Sequence, residues 1–251
     1  MARFFLGTSG WNYREWRGGF YPHDLPAREW LSWYAQHFNS TEINHSFYHF
    51  PRSESLRNWN GQTPDSFIFA LKALRLITHT KRLKDIDDNW RDFTQRAQEL
   101  GGKLGPILLQ FPSSFRAAEE NMERLEKLLA SRPSGAPSLR LAVEFRHKSW
   151  LGESTIELLG RYKTALVLAH SSRYPVAELA ETAPFTYFRF HGPKELSSSP
   201  YSTEELGEWG AKIRMQLERG RDVYAYFNND NGGYAVPNAR ELGEIVRWND
   251  T

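Results

Sequence analysis

Eight short β-rich runs recur along the chain, at residues 4–9, 41–46, 67–73, 106–111, 139–145, 164–170, 185–191 and 223–230. Most are bounded by Gly, Pro, Ser or Asn, the residues that end strands. Helical patterns fill the intervals. Trp30, Tyr34 and Phe38 fall on one face; Trp90, Phe93, Ala97 and Leu100 follow the same spacing, as do Met122, Leu125 and Leu129, and Leu206, Trp209, Ile213 and Leu217. Pro26 suits a first helical position, and Ser202 with Glu205 forms a capping box. Alternating strands and helices call for parallel strands joined by crossovers. Eight such units in 251 residues fit a (β/α)8 barrel. The spacing therefore predicts an α/β chain, one TIM-type barrel domain over residues 1–251, with a degenerate helix after strand six, where residues 174–180 leave room for a turn or two. A doubly wound open sheet is the rival, but it usually carries a Gly-rich phosphate loop after its first strand. Here Gly7-Thr8-Ser9-Gly10-Trp11 leads into bulky aromatics. The most loop-like stretches, 131–138 and 197–200, are short.

Composition narrows the chemistry. The chain has no cysteine, which excludes disulfides, thiolate metal sites and a thiol nucleophile. Its 14% aromatic share argues against disorder. Mean hydropathy is −0.62 and no run of about 18 apolar residues exists, so no membrane association is expected. The N-terminal apolar run stops at Gly7 and Thr8, too soon for a signal peptide, and a cytoplasmic protein is expected. Net charge is +2. Basic clusters such as Lys81-Arg82-Leu83-Lys84 are too diluted to mark a dedicated nucleic-acid binder.

Side-chain parity then locates a site. Alternate strand residues point to opposite faces, and in a barrel one face meets the helices while the other fills the lumen. Leu141, Val143 and Phe145 share the helix face of the fifth run, leaving Ala142, Glu144 and Arg146 for the lumen. The same reasoning puts Glu42 and Asn44, Lys72, Gln110, Arg189 and His191, and Asn228 and Asp230 on the lumen face, and His170 with Leu166 and Leu168. The polar members sit at the C-terminal ends of their runs, the end at which such barrels carry active sites. A buried charge is costly unless paired or hydrated, so this set implies a polar mouth. Buried ion pairs such as Glu144 with Arg146 are the structural alternative. Trp11, Tyr13, Trp16, Phe20 and Tyr21 follow the first strand and belong on the same rim, as a wall for a flat ligand or as a capping mini-core. Tyr48 and Trp150 join one or the other.

The motifs are similar to those of domain-of-unknown-function family 72, the YecE-like proteins. The carriers are Gly7-Thr8-Ser9-Gly10-Trp11 with Tyr13 and Trp16, Phe20-Tyr21-Pro22, Glu42-Ile43-Asn44 with Ser46-Phe47-Tyr48, Lys72, Ile77-Thr78-His79, Leu104-Gly105-Pro106 with Gln110-Phe111-Pro112, Glu144-Phe145-Arg146 with Ser149-Trp150, Arg189 with His191-Gly192, and Tyr226-Phe227-Asn228-Asn229-Asp230. In this order they are specific and span nearly the whole chain. The resemblance implies a (β/α)8 barrel and no assigned function. It also implies an Asp at the end of strand six in many relatives, where this chain has Ala169-His170-Ser171-Ser172.

The residue set supports an acid–base enzyme acting on a phosphate- or carboxylate-bearing small molecule, with no metal or cofactor. In that reading Lys72, Glu144 and His191 are the catalytic candidates. Trp11, Tyr13, Glu42, Asn44, Tyr48, Gln110, Arg146, Arg189, Asn228 and Asp230 are the substrate-binding candidates. Lys72, Arg146 and Arg189 would hold the anion, and Lys72 alternatively acts as a Schiff-base nucleophile. Three alternatives stay open. One is a nucleic-acid role like that of the apurinic-endonuclease barrels, with His191, Glu144, Asp230 and Glu42 as metal ligands. Another is a glycosidase pairing Glu42 with Glu144. The last is a non-catalytic ligand-binding barrel.

Overall fold

The computed structural model describes residues 1–131, 139–175 and 177–247. Strands and helices alternate as the periodicity predicts. The order is β1 (Phe4–Thr8), α1 (Trp30–Tyr34), β2 (Ser40–Ile43), α2 (Ser53–Gln62), β3 (Ile68–Lys72), α3 (Asp87–Ala97), β4 (Leu104–Gln110), α4 (Glu119–Ala130), β5 (Leu141–Glu144), α5 (Glu153–Arg161), β6 (Ala165–Leu166), β7 (Leu168–His170), β8 (Phe185–Phe190), α6 (Thr203–Glu218), β9 (Asp222–Phe227) and α7 (Ala235–Val246). All strand pairs are parallel, in the orders β2-β3-β4-β5-β6 and β7-β8-β9-β1. The expected sixth strand is split into β6 and β7. Val167 lies between them and still donates its N–H to the Val143 carbonyl, so the chain itself joins the two sheets there. Among the described residues of 171–184 none is helical, in keeping with the degenerate unit after strand six. Of the stretch 131–138, all but Ser131 lies outside the described residues.

The second seam, between β1 and β2, is closed mainly by side chains. Asn39 Oδ1 accepts from the Leu6 N–H (2.9 Å) while its Nδ2 donates to the Phe4 carbonyl (2.7 Å). The Tyr34 hydroxyl accepts from the Thr8 N–H (2.7 Å) and donates to the Ser40 carbonyl (3.2 Å). Thr41 Oγ1 donates to the Thr8 carbonyl (3.0 Å). These bonds satisfy backbone groups that would otherwise be orphaned at a sheet edge. Gly7 permits the approach, because a Cβ there would sit 1.9 Å from the Ser40 carbonyl oxygen.

The buried apolar residues form two clusters that follow strand parity. Phe5, Ile68, Ala70, Leu108, Ala142, Val167, Tyr187, Tyr224 and Tyr226 belong to the lumen. Leu6, Ile43, Phe69, Leu71, Ile107, Leu109, Val143, Phe188, Phe190, Val223 and Phe227 pack outward with the helices. The helix stripes supply the other side of that layer: Trp90, Phe93 and Ala97 from α3, Leu125 and Leu129 from α4, and Leu206, Trp209, Ile213 and Leu217 from α6. The capping box of α6 is present in both directions, Ser202 Oγ accepting from the Glu205 N–H (3.2 Å) and Glu205 Oε2 accepting from the Ser202 N–H (2.8 Å). Pro26 precedes a short tight turn, Ala27–Glu29, which runs into α1.

One parity assignment is reversed. Leu166 and Leu168 face the helices, and Ala165, Val167 and Ala169 fill the lumen. His170 therefore points outward. Its Nδ1 lies 3.0 Å from the Tyr201 hydroxyl and its ring meets Trp209 of α6 at 5.2 Å. The cause is compositional. Every residue from 165 to 169 is apolar, so periodicity gives no sign of which face is which, and the narrow lumen takes the smaller set.

Candidate functional site

The C-terminal ends of the strands carry the polar groups. At their centre is Arg189 of β8, fully buried and held by two carboxylates from opposite sides. Its Nε donates to Glu42 Oε2 (2.9 Å), its Nη2 to Glu42 Oε1 (2.7 Å) and its Nη1 to Glu144 Oε2. Glu42, at the end of β2, also accepts from Ser9 Oγ (2.8 Å) and from the Tyr187 hydroxyl (2.7 Å). Glu144, at the end of β5, accepts from Arg146 Nε (3.2 Å). Burial alone would raise both carboxyls. Arg189 with its hydrogen bonds overrides this for Glu42, and Arg189, His191 and Arg146 override it for Glu144, so both stay ionised at neutral pH.

The sequence expects Arg189 to bind an anion. The structure corrects this: all three guanidinium nitrogens are engaged by Glu42 and Glu144, and the residue acts as the internal counter-ion of the mouth. The glycosidase alternative loses its basis at the same point. It needs one carboxyl free to act as a general acid, and both are bound to the same guanidinium.

His191 follows β8 and is buried. Asn44 Nδ2 lies 3.4 Å from Asn228 Oδ1, which turns the Asn228 amide nitrogen toward His191 Nδ1 (3.0 Å). On the other side of the ring, Nε2 lies 3.3 Å from Arg189 Nη1 and 3.6 Å from Glu144 Oε2, between a donor and an acceptor. Burial and Arg189 lower the imidazole's pKa against the opposing pull of Glu144.

Lys72 closes β3 on the lumen side. Its ammonium lies 4.3 Å from the centre of the Phe47 ring. Among the described residues no carboxylate lies within ion-pairing distance of it. Burial, with Arg189 beside it, pushes the Lys72 ammonium down to about 7, although Glu144 and Glu42 pull the other way. Arg146 stands at the rim, its Nη1 near the Tyr174 hydroxyl (3.4 Å) and its guanidinium over the Tyr174 ring. Its side chain retains 21% exposure.

The remaining candidates divide. Gln110 is buried beside Glu144 in register, but its Nε2 donates to the Phe111 carbonyl (3.0 Å) and lies 3.4 Å from His79 Nε2. Asp230 is drawn away from the ionic cluster and accepts from Trp16 Nε1 (2.7 Å). Trp16, Phe20 and Tyr21 are a buried mini-core, with Tyr21 stacked on Trp30 at 4.8 Å. Trp150 is likewise core, stacked on Phe145 at 4.3 Å. Only Trp11, Tyr13 and Tyr48 of the aromatic candidates reach open space. They line a cavity of about 560 Å³ beside the mouth, together with Ser9, Asn44 and, from α2, Asn58, Trp59 and Gln62. A larger cavity of about 820 Å³ lies near the N-terminal ends of β1 and β3, by Phe4 and Phe67, away from this chemistry. Ser9, Tyr187, His79 and Trp59 were not among the site candidates. Tyr187 and Ser9 were reachable by parity and position. Trp59 comes from a helix, where strand-end reasoning has no reach.

Burial also raises the Asp230 carboxyl to about 6, with Glu15 adding to the rise and Trp16 opposing it. The folded state thus holds this proton more tightly than the unfolded chain. That contribution is complete below about pH 3.8, the unperturbed value, and is lost as pH rises through about 6. Asp230→Asn keeps an acceptor for Trp16 and removes the titration. Its melting temperature should exceed the wild-type value by a margin that widens from pH 5 to pH 8, read by thermal unfolding at each pH. A pH-independent margin would refute the assignment.

Among the described residues no group of three His, Asp or Glu side chains is arranged to hold a metal ion. No helix of the described chain is long and apolar enough to cross a membrane.

Comparison with known proteins agrees with this architecture. A family model described as "Protein of unknown function DUF72" matches residues 5–251. The UPF0759 protein YunF of Bacillus subtilis is 25% identical over 272 residues, covering 96% of this chain and 94% of that one. The UPF0759 protein YecE of Escherichia coli K12 is 30% identical over 154 residues, 61% of this chain and 52% of its own length. The crystal structure of a DUF72 family protein from Thermotoga maritima MSB8 superposes with a TM-score of 0.86 at 31% identity, covering 98% of this chain and 100% of that one. A glycoside hydrolase family 5 enzyme from Prevotella bryantii shares the fold alone, with a TM-score of 0.51 at 11% identity over 98% of this chain and 95% of that one.

Proposed function

The chain belongs to the DUF72 family, whose name carries no activity, and from its residues we propose that the barrel mouth is the active site of an acid–base enzyme acting on an anionic small molecule. The observation that carries this reading is Lys72. A lysine at a strand end, facing the lumen, beside a guanidinium and without a carboxylate partner, is a poor structural cation and a good proton carrier. Its ammonium is pushed down to about 7, far below the value of about 10.4 for an ordinary lysine, which brings loss of its proton within reach of neutral pH. A base poised near the working pH is what general catalysis favours.

The other groups take roles that follow from their bonding. Arg146, at the rim and linked through Nε to Glu144, presents its remaining donors to a phosphate or carboxylate. Glu144, ionised at neutral pH, orients Arg146 and faces the Nε2 edge of His191. Arg189 and Glu42 are the rigid floor. This reading calls on no metal or organic cofactor. The nucleic-acid alternative draws no comparable support, since its metal ligands are engaged elsewhere: Glu42 and Glu144 by Arg189, and Asp230 by Trp16.

Acetic anhydride labelling followed by mass spectrometry tests the reading on the intact chain. Lys72 should reach half-maximal reactivity near pH 7, well below a lysine model peptide labelled alongside (about 10.4), and inorganic phosphate should slow its labelling in wild type but not in Arg146→Ala. Lys72 titrating together with the model peptide would overturn the proposal.

A further inference from the structure

The cavity beside the mouth has a different chemistry from the mouth itself, and we propose that it is a subsite for an uncharged sugar ring, so that the ligand is a monosaccharide carrying a phosphate or carboxylate. The inference rests on the anionic-ligand reading for the charged group. Its own support is independent.

Three observations carry it. First, the lining is aromatic and amide-rich and bears little charge. Asn12, Asn44, Asn58 and Gln62 surround the walls. Its arginine, Arg28, is already paired with Glu29 at 3.4 Å, and no carboxylate lines the cavity. Carboxamides offer both donor and acceptor, which matches hydroxyl groups pointing in several directions. Second, the Trp11 and Trp59 rings meet edge to face, 5.2 Å apart at 90°. This contacting pair of rings is perpendicular and cannot stack both faces of a flat base. Aromatic faces flanked by amides fit the apolar C–H face and the hydroxyl rim of a sugar. The volume of about 560 Å³ lies inside the usual range for small-ligand sites. Third, Asn44 Oδ1 is buried with no hydrogen-bond partner among the described residues. An unsatisfied buried acceptor is costly, and because Asn44 lines the cavity, a turn of its amide toward a bound hydroxyl would supply the missing donor.

Two residues link the cavity lining to the mouth. Ser9 lines the cavity and donates to Glu42 (2.8 Å), and Asn44 lines it and approaches Asn228 (3.4 Å). A ring held between Trp11 and Asn44 would therefore lie beside the ionic cluster of the mouth.

Titration calorimetry of the full chain separates the two halves of the ligand. The probes are glucose, glucose 6-phosphate, inorganic phosphate and adenosine. Glucose 6-phosphate should bind at least tenfold more tightly than either glucose or phosphate, because the two halves are linked. The paired change Asn58→Ala with Gln62→Ala, at two exposed helix positions, should weaken glucose at least tenfold and leave phosphate unchanged. Arg146→Ala should do the reverse. Phosphate binding with no glucose binding, or adenosine binding in place of glucose, would overturn the sugar subsite while leaving the mouth reading intact. Glucose binding without phosphate binding would support the subsite and overturn the mouth reading.

Discussion

Arg189→Met should cost the fold about 3–5 kcal/mol, because it leaves the buried Glu42 with no counter-charge and the buried Glu144 with only Arg146 at the rim. Glu42 and Glu144 are both at most 2% exposed, and neither has another full positive charge as close to it. At this chain length that cost is a drop of about 6–20 °C in melting temperature. Glu42→Gln in the Arg189→Met background should recover part of the loss, since it removes one of the stranded charges and keeps an acceptor for Tyr187 and Ser9. The same network sets an acid limit. Both carboxyls are depressed in the folded state, so the stability they bring is present above the usual carboxylate range and is lost as pH falls through their lowered values. Arg189→Met should flatten that acid-side dependence. A melting temperature within about 2 °C of wild type, measured near neutral pH, would show that the pair is not the internal counter-ion described above.

Gly7→Ala should be comparably damaging, for a different reason. A methyl group at that position meets the Ser40 carbonyl oxygen at 1.9 Å and the Tyr34 hydroxyl at 2.6 Å. The nearest atom is backbone, so relief requires β1 and β2 to move apart. That movement would disrupt the Thr8–Tyr34–Ser40 hydrogen bonds that close the barrel. Overpacking costs typically about 1–3 kcal/mol and each lost hydrogen bond about 0.5–1.5 kcal/mol more, for a total of about 3 kcal/mol or above. Gly102→Ala is the control, since a Cβ there meets nothing within 4 Å, and it should stay within about 0.5 kcal/mol of wild type. Denaturant midpoints of the two variants settle the comparison. Equal effects would mean that the seam is not a close approach.

Both sites show where sequence reasoning reaches. Glu42 and Arg189 could be assigned to the lumen from parity, because Glu42 and Asn44 flank Ile43 and Arg189 lies between Phe188 and Phe190. Their pairing could not. They are separated by 147 positions in the chain, and nothing in either segment names its partner. The expected anion clamp of Lys72, Arg146 and Arg189 failed at Arg189 for that reason: charge type was legible, and the competing carboxylates that consume the charge were not. Asp230 and Trp16, 214 positions apart, repeat the lesson. His170 shows the opposite limit. Its strand is apolar on both faces, so no local pattern oriented it, and lumen width decided.

The strand–helix alternation, the parallel arrangement, the weak sixth unit and the face on which the polar residues gather were determined by the sequence alone, because each depends on periodicities of two and 3.6 residues that are local. Closure of the β1–β2 seam, the spending of Arg189 on two carboxylates, the isolation of Lys72 and the amide-lined cavity with Trp59 were decided only by the tertiary structure. Each depends on distances between residues far apart in the chain, and on which buried charge finds a partner in a lumen with room for few.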